Sequence, residues 1–220
     1  MQTKTTSKAK ENILRKIRTA LQEEKLAKPY EDETGNGGES VFQPLSMPSL
    51  EESFALEFNK SGGFFAFCNS FDELADNLRQ LALQKNWQEV MCADKDLFPL
   101  LIDKKLSFIR EYNTQNSDMP PCITNCEAAI ARTGSLLFSS RQHYGRSASI
   151  YTPAHIVVLK PNQVVENISD GLALLKKKYK EHLPSMINLN TGPSRTADIE
   201  KTLVKGIHGP KEVYCFLVNV

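Results

Sequence analysis

The strongest constraint on the fold is an alternation, from residue 49 onward, of short apolar runs with amphipathic segments of helical period. The apolar runs predict strands near 64–68, 89–93, 105–111, 135–139, 155–159, 186–190 and 213–219. The amphipathic segments predict helices near 49–59, 70–85, 96–103, 124–131, 168–180 and 194–204. Strands separated by helices need crossover connections, which favour a mainly parallel sheet covered on both faces. The alternation therefore predicts an α/β fold.

Two segments of opposite net charge lie before this region and across its start. Residues 1–28 hold eight basic and three acidic residues, a net of +5, whereas residues 29–60 hold one basic and seven acidic residues, a net of −6. Apolar residues recur at helical spacing in the first segment, at Ile13, Leu14, Ile17 and Leu21. The predicted organisation is an amphipathic N-terminal helix over 1–28, a flexible acidic spacer over 29–48 and an α/β domain over 49–220.

Composition argues against several classes of protein. The chain has 27 Lys and Arg residues against 26 Asp and Glu residues, so it lacks the basic excess of a nucleic-acid-binding protein. No apolar run approaches the roughly 20 residues that span a bilayer. The N-terminus also lacks the apolar segment of a secretion signal. We expect a cytoplasmic protein that binds neither nucleic acid nor membrane.

The five cysteines are odd in number and scattered in spacing, which argues against a disulfide framework. Cys122 and Cys126 form one C-x₃-C pair, without the further pairs that zinc sites and iron–sulfur clusters use. Phosphate-binding glycine motifs are also absent. We therefore expect buried free thiols, no metal and no cofactor in this chain, so any redox cofactor would belong to a partner.

The segment 187–213 carries the most specific chemical pattern. A predicted strand leads into Thr191, and a predicted helix begins at Ser194. Backbone N–H groups at a helix start bind anions, and open α/β sheets place ligands at their carboxyl edge. Arg195 adds a planar donor that suits a carboxylate or a phosphate. A well-capped structural helix has the same composition, so both interpretations stay open. The anion-binding candidates here are Gly192, Ser194, Arg195 and Thr196.

Two further segments supply polar groups for the same predicted crevice. His208 lies in a His-Gly-Pro turn that would bring its imidazole toward the ligand, where it would exchange a proton. The loop after the 135–139 strand is rich in basic and aromatic residues, and Arg146 is its candidate for anion binding. A solvated surface loop is the alternative. The opposite wall of the crevice would be formed by Thr133, Gly134 and Ser135.

These segments resemble a known family. T-G-P-S-R-T-A-D-I-E at 191–200 and G-I-H-G-P at 206–210 resemble the closing signature of the LUD-domain family, and in particular of its lactate utilisation protein C subfamily. A-I-A-R-T-G-S-L-L-F at 129–138 and P-A-H-I-V-V-L at 153–159 are similar to a second block of that family. One position departs from the pattern, because the family commonly has an acidic residue where this chain has Arg132.

The resemblance implies a three-layer α/β sandwich like that of ribose-phosphate isomerases, glucosamine-phosphate isomerases and CoA transferases. It also implies a part in the oxidation of L-lactate to pyruvate beside partner proteins that carry iron–sulfur clusters. Together with the residue pattern, it predicts a crevice at the carboxyl edge of the sheet that binds a small carboxylate or phosphorylated anion.

Two other functions stay open. The chain would be a non-catalytic assembly subunit if the basic helix over 1–28 docks onto partners or onto a second copy in a homo-oligomer. It would be a stand-alone isomerase or CoA-transferase-like enzyme if an acid such as Glu127 or Glu200 formed a covalent intermediate. The sequence does not decide whether the chain is an enzyme.

Overall fold

The computed structural model describes residues 11–12, 15–16, 19, 44–45, 47–113, 119–142, 144, 147–196, 204–206 and 208–219. The chain divides into two compact units, Met1–Pro44 and Leu45–Val220. In the first unit, the described residues before position 20 are helical and exposed. Most of the predicted helix and of the spacer lies outside the described residues, so the domain boundaries stay predictions.

Six parallel strands form the larger sheet of the second unit. They are β1 Phe64–Cys68, β2 Val90–Cys92, β3 Ile109–Glu111, β4 Cys122–Thr124, β7 Ala154–Leu159 and β12 Glu212–Val218. Their order across the sheet is β1-β12-β7-β4-β2-β3. The central strands β4 and β7 are buried at every position, because both faces of the sheet are covered.

Four α-helices accompany the strands in the described part of the second unit. They are α1 Leu50–Lys60, α2 Phe71–Gln84, α3 Leu97–Asp103 and α4 Ile168–Tyr179. The first two begin at serine caps, where the Ser49 hydroxyl accepts the Glu52 N–H at 3.1 Å and the Ser70 hydroxyl accepts the Glu73 N–H at 3.3 Å. No helix of the described residues is long and apolar enough to cross a membrane.

A smaller, mixed sheet lies in the same unit. Its strands are β5 Ala128–Ile130, β6 Ser135–Ser139, β8 Val164–Val165 and β9 Ile187–Asn190. Their order is β8-β5-β6-β9, and β6 runs antiparallel to both of its neighbours. Beyond β9, the short strands β10 Arg195–Thr196 and β11 Val204–Lys205 pair as an antiparallel ribbon.

Alternate residues of the parallel sheet enter two separate cores. In β12, Val213, Cys215 and Leu217 join a core shared with α1 and the smaller sheet. Tyr214, Phe216 and Val218 join a second core on the opposite face, with residues of α2 and α3. Leu175 of α4 closes a third cluster against the outer face of the smaller sheet. The two-residue period of a strand therefore decides which core each side chain fills.

The predicted α/β class with a mainly parallel sheet is confirmed, whereas two predicted helices are wrong. The segment 124–131 forms the end of β4 and the whole of β5 instead of a helix. The predicted helix over 194–204 begins instead as strand β10, and residues 197–203 lie outside the described residues. Both errors concern short segments, where the hydrophobic pattern does not separate helix from strand.

A buried histidine joins neighbouring strands of the parallel sheet. His155 of β7 is 1% exposed, and its Nε2 lies 2.8 Å from the Thr124 hydroxyl at the end of β4. Burial lowers the pKa of His155 to about 3. The imidazole is therefore neutral in the folded protein at all ordinary pH values.

This pKa predicts a loss of stability in mild acid. Below about pH 6.5 the unfolded chain binds a proton at this histidine, whereas the folded chain binds it only near pH 3. Acid therefore favours unfolding in this window. Between pH 7 and pH 5, we expect the wild type to lose about 2 kcal/mol more unfolding free energy than His155→Gln.

Urea denaturation at each pH measures this difference. The control is the same substitution at an exposed histidine, His182→Gln. Equal pH dependence in the wild type and His155→Gln would contradict the prediction.

Candidate functional site

Several predicted site residues meet at one polar cavity of about 450 Å³. Ser149 and Ile150, which precede β7, form one side of it, and His208, Gly209 and Pro210, which precede β12, form another. The remaining described wall is the segment 188–195, which follows the antiparallel strand β9 and leads into β10. The cavity brings together four predicted residues, namely Gly192, Ser194, Arg195 and His208.

This cavity lies at the amino-terminal edge of the parallel sheet, so the prediction of a carboxyl-edge crevice is wrong for these residues. The reason is that β9 belongs to the smaller sheet, where it pairs antiparallel with β6. Thr191 therefore does not follow a strand of the parallel sheet. Strand pattern alone does not specify which sheet a strand joins.

The predicted helix start is replaced by extended chain with its own hydrogen bonds. Arg195 and Thr196 pair with Lys205 and Val204 across the β10–β11 ribbon. The Ser194 N–H donates to the Pro210 carbonyl at 2.9 Å, so this amide is already satisfied. The amides of a helix start are therefore not available at this position.

Arg195 is held by the end of α1. Its Nη2 donates to the carbonyl of Ser61, the C-cap of that helix, at 2.7 Å. A cation at this position also offsets the partial negative charge of the helix C-terminus. A guanidinium has five N–H donors, so one such bond orients the group without exhausting its capacity to bind. The side chain is exposed at the cavity.

A chain of hydroxyls connects the β5–β6 turn to the cavity. The Thr133 hydroxyl lies 2.7 Å from that of Ser135, which is fully buried and lies 2.7 Å from the Thr191 hydroxyl. Thr191 itself lines the cavity. The predicted pair Thr133 and Ser135 thus lies behind the wall and supports Thr191, a residue that the sequence interpretation did not single out.

Gly134 is buried and has a packing role. Its φ is +60°, a backbone conformation that favours glycine, and a Cβ added there would overlap the backbone of Glu57 and Phe58 in α1. The residue lets the β5–β6 turn touch the helix directly. Two other predicted positions cannot be placed, because Arg146 and the side chain of Thr196 lie outside the described residues.

Glu127 is enclosed by hydrogen-bond donors. Its side chain is 2% exposed. Its carboxylate accepts the Ser139 hydroxyl at 2.6 Å, the Tyr179 hydroxyl at 2.6 Å and the Lys178 ammonium at 2.7 Å. Glu127 therefore joins β6 to α4 from inside the fold. The other candidate for a covalent intermediate, Glu200, lies outside the described residues.

Arg132, the position that departs from the family pattern, makes local contacts. Its Nη2 pairs with the Glu166 carboxylate at 2.5 Å, and its Nε donates to the Asn167 side-chain oxygen at 2.6 Å. Asn167 is the N-cap of α4. The arginine therefore fastens the end of β5 to the start of this helix.

All five cysteines are free and buried, as expected from the sequence. Burial raises the pKa of Cys92 to about 12 and that of the Cys122 and Cys126 thiols further still. These thiols are therefore protonated and shielded from reagents. Among the described residues, no three or more His, Cys, Asp or Glu side chains are grouped as metal ligands would be.

Comparison with known proteins places these features in a family. A model of the LUD domain matches residues 6–218. The chain belongs to the LUD-domain family. The family resemblance noted in the sequence is therefore confirmed.

Individual relatives of this LUD-domain protein agree with that placement. Lactate utilization protein C of Bacillus velezensis is 34% identical over 99 residues, which make up 44% of this chain and 41% of that protein. The match thus spans less than half of that relative. Lactate utilization protein C of Anoxybacillus flavithermus is 25% identical over 195 residues, 82% of this chain and 86% of that protein.

The fold also has a solved counterpart. The crystal structure of a DUF162 family protein from Deinococcus radiodurans matches with a TM-score of 0.59 and 20% sequence identity. The match covers 80% of this chain and all of the other. At this identity the likeness concerns the fold of the LUD-domain protein.

The packing role of Gly134 predicts a large cost for its replacement. Gly134→Ala forces a side chain into a left-handed conformation and against rigid helix backbone, so we expect a loss of about 2 to 4 kcal/mol of unfolding free energy. Gly206→Ala is a matched control, because Gly206 has a φ of +80° but faces the flexible side chain of Lys211. Its expected cost is about 1 to 2 kcal/mol.

Urea denaturation of both variants measures these costs. A Gly134→Ala protein no less stable than Gly206→Ala would show that the contact with α1 is not tight.

Proposed function

We propose that this LUD-domain protein takes part in lactate utilisation and binds a small carboxylate or phosphorylated anion in the cavity at the amino-terminal edge of the sheet. The observation that carries the proposal is the charge of the described cavity lining. Arg195 and His208 are its ionisable groups, and no described lining residue is acidic. An anion entering the cavity therefore meets a cation and several polar groups without a repelling carboxylate.

Arg195 supplies the anchoring interaction in this proposal. Its guanidinium matches the geometry of a carboxylate or phosphate, and its bond to the Ser61 carbonyl orients it before a ligand arrives. Thr191 and Ser194 add hydroxyl groups in the same wall. A 2-hydroxy acid such as L-lactate would place its carboxylate on the arginine and its hydroxyl on these groups.

His208 is the proposed proton-exchanging group. It is exposed at the cavity and sits on the turn before β12. An imidazole is the side chain whose charge changes most readily near neutral pH. His208 would either exchange a proton with the 2-hydroxyl of a bound acid or contribute only charge. Comparing the pH dependence of ligand binding between His208→Gln and the wild type distinguishes these two roles.

In our proposal, the electrons released by lactate oxidation pass to an acceptor outside this chain. Conversion of L-lactate to pyruvate releases two electrons and two protons. The buried, protonated cysteines provide no exposed thiolate set for a cluster. We assign the electron-accepting iron–sulfur clusters to partner proteins, as the family resemblance implies, and the cytoplasm as the shared compartment.

Calorimetric titration of the full chain with L-lactate, pyruvate, ribose 5-phosphate and CoA tests the cavity. We expect at least one of these anions to bind and Arg195→Gln to weaken its binding by about tenfold or more, because a charge-assisted hydrogen bond is lost. The matched control is Arg110→Gln, since Arg110 is also exposed and donates to backbone carbonyls, those of Ser107 and Ile109. The absence of saturable binding by all four ligands, or an equal loss in the control, would refute the anion site.

A role in assembly is the second candidate, and the exposed basic residues of the first unit favour it. Arg15 and Lys16 are helical and exposed, within a segment of net charge +5. If this helix docks onto partners, Arg15→Glu combined with Lys16→Glu should abolish co-purification of iron–sulfur proteins from cells grown on L-lactate. Binding of the small anion should not change.

The control for this experiment reverses the charge of two exposed lysines elsewhere, Lys176 and Lys177 of α4, by replacing both with glutamate. Unchanged co-purification by the Arg15 and Lys16 variant, measured by iron content and mass spectrometry, would exclude docking through these two residues.

A further inference from the structure

A second cavity, of about 320 Å³, lies at the opposite edge of the parallel sheet. Asp94, Asn125 and Lys160 line it, and each comes directly after a parallel strand or one residue beyond: β2, β4 and β7 respectively. Open α/β sheets bind ligands at this carboxyl edge. A cavity of this volume is also within the range of small-molecule sites, roughly 300–1,000 Å³.

Asp94 is the most unusual group in this cavity. The residue is 4% exposed, and its Oδ1 accepts the N–H groups of Asp96 at 3.0 Å and Leu97 at 2.9 Å. No described group donates to its other oxygen, Oδ2. This oxygen is therefore available to accept a hydroxyl or an N–H from a ligand in the cavity.

Two further polar groups of the lining are oriented for a ligand. Asn125 accepts the Gln142 side-chain N–H on Oδ1 at 2.7 Å, which leaves its Nδ2 as a donor at the cavity. Lys160 is exposed and forms no ion pair with a described residue. The lining also includes Asp96, Asn162 and Gln163. The cavity therefore presents two carboxylates, one cation and several neutral amide groups.

The lining also has an apolar part, which comes from the flanking elements. Phe71 begins α2, Leu97 begins α3, and Val218 ends β12. All three belong to or pack against the same hydrophobic core. A ligand that fits must therefore carry an apolar face, hydroxyl donors and an anionic group together.

We propose that this cavity binds a nucleoside 5′-monophosphate. Asp94 Oδ2 accepts a ribose hydroxyl, the base packs on the apolar residues, and Lys160 pairs with the phosphate. A simple dicarboxylate is disfavoured because it would bring negative charge to Asp94 and Asp96 without a hydroxyl donor for either, and a sugar phosphate would leave the apolar wall unused. This site is separate from the anion cavity at the other edge, and it does not depend on the proposed role in lactate utilisation.

Isothermal titration of the full chain with AMP, GMP, CMP, UMP and adenosine tests the proposal. We expect at least one monophosphate to bind saturably and, for AMP against adenosine, a preference of about tenfold that Lys160→Gln abolishes. Asp94→Asn should weaken the nucleoside and the nucleotide alike by about tenfold, because the amide retains an acceptor for the α3 amides but loses the charged oxygen.

Two control variants show whether the nucleotide binds at this cavity. Asp103→Asn changes an exposed acid at the far end of α3 and should leave binding unchanged. Arg195→Gln should also leave it unchanged, whereas loss of nucleotide binding in that variant would place the nucleotide in the anion cavity. Thermal denaturation shows whether Asp94→Asn affects folding. If it does, nucleotide binding by Lys160→Gln, a substitution at an exposed position, decides alone whether the proposal holds.

The proposal is overturned by the absence of saturable binding of all five ligands at millimolar concentration. It is equally overturned if Asp94→Asn and Lys160→Gln both bind as the wild type does.

Discussion

The rest of the second unit depends on contacts made by the end of α1 and the residues that follow it, 57–63. Gly134 packs against its backbone at Glu57 and Phe58, which brings the β5–β6 turn of the smaller sheet onto the helix. Gly192, with a φ of +72°, packs against the Ser61 carbonyl, and Arg195 donates to the same oxygen. One helical turn therefore positions the smaller sheet, the start of β1 and a wall of the anion cavity together.

This arrangement changes the meaning of the sequence motif around residue 192. A glycine and an arginine near a predicted helix start indicate an anion site on chemical grounds, because caps and anion sites use the same groups. In the structure, both residues first serve to join a loop to α1. The arginine still reaches the cavity, so a structural contact and a binding role are compatible in one side chain.

The sequence was sufficient for what depends on local pattern and insufficient for what depends on pairing. The strands at 64–68 and 135–139 were predicted at their observed bounds, because apolar runs between breakers are local signals. Membership of β9 in the smaller sheet is a long-range property that no local pattern encodes. Because β9 joins that sheet, the cavity lies at the amino-terminal edge of the parallel sheet and not at the predicted carboxyl edge. Asp94 could have been identified from the sequence, because it is an acid directly after a predicted apolar strand.

The fold likeness to isomerases and CoA transferases that the family resemblance implies would not by itself give this protein their chemistry. A covalent glutamyl intermediate needs a carboxylate that a substrate can approach, whereas Glu127 is enclosed by Ser139, Lys178 and Tyr179. Burial, and then the bond to Glu127, raise the pKa of Tyr179, so its hydroxyl stays protonated and keeps donating to the acid. The carboxylate is thereby committed to holding α4 on the smaller sheet. Glu127 is therefore not available to a substrate as a nucleophile.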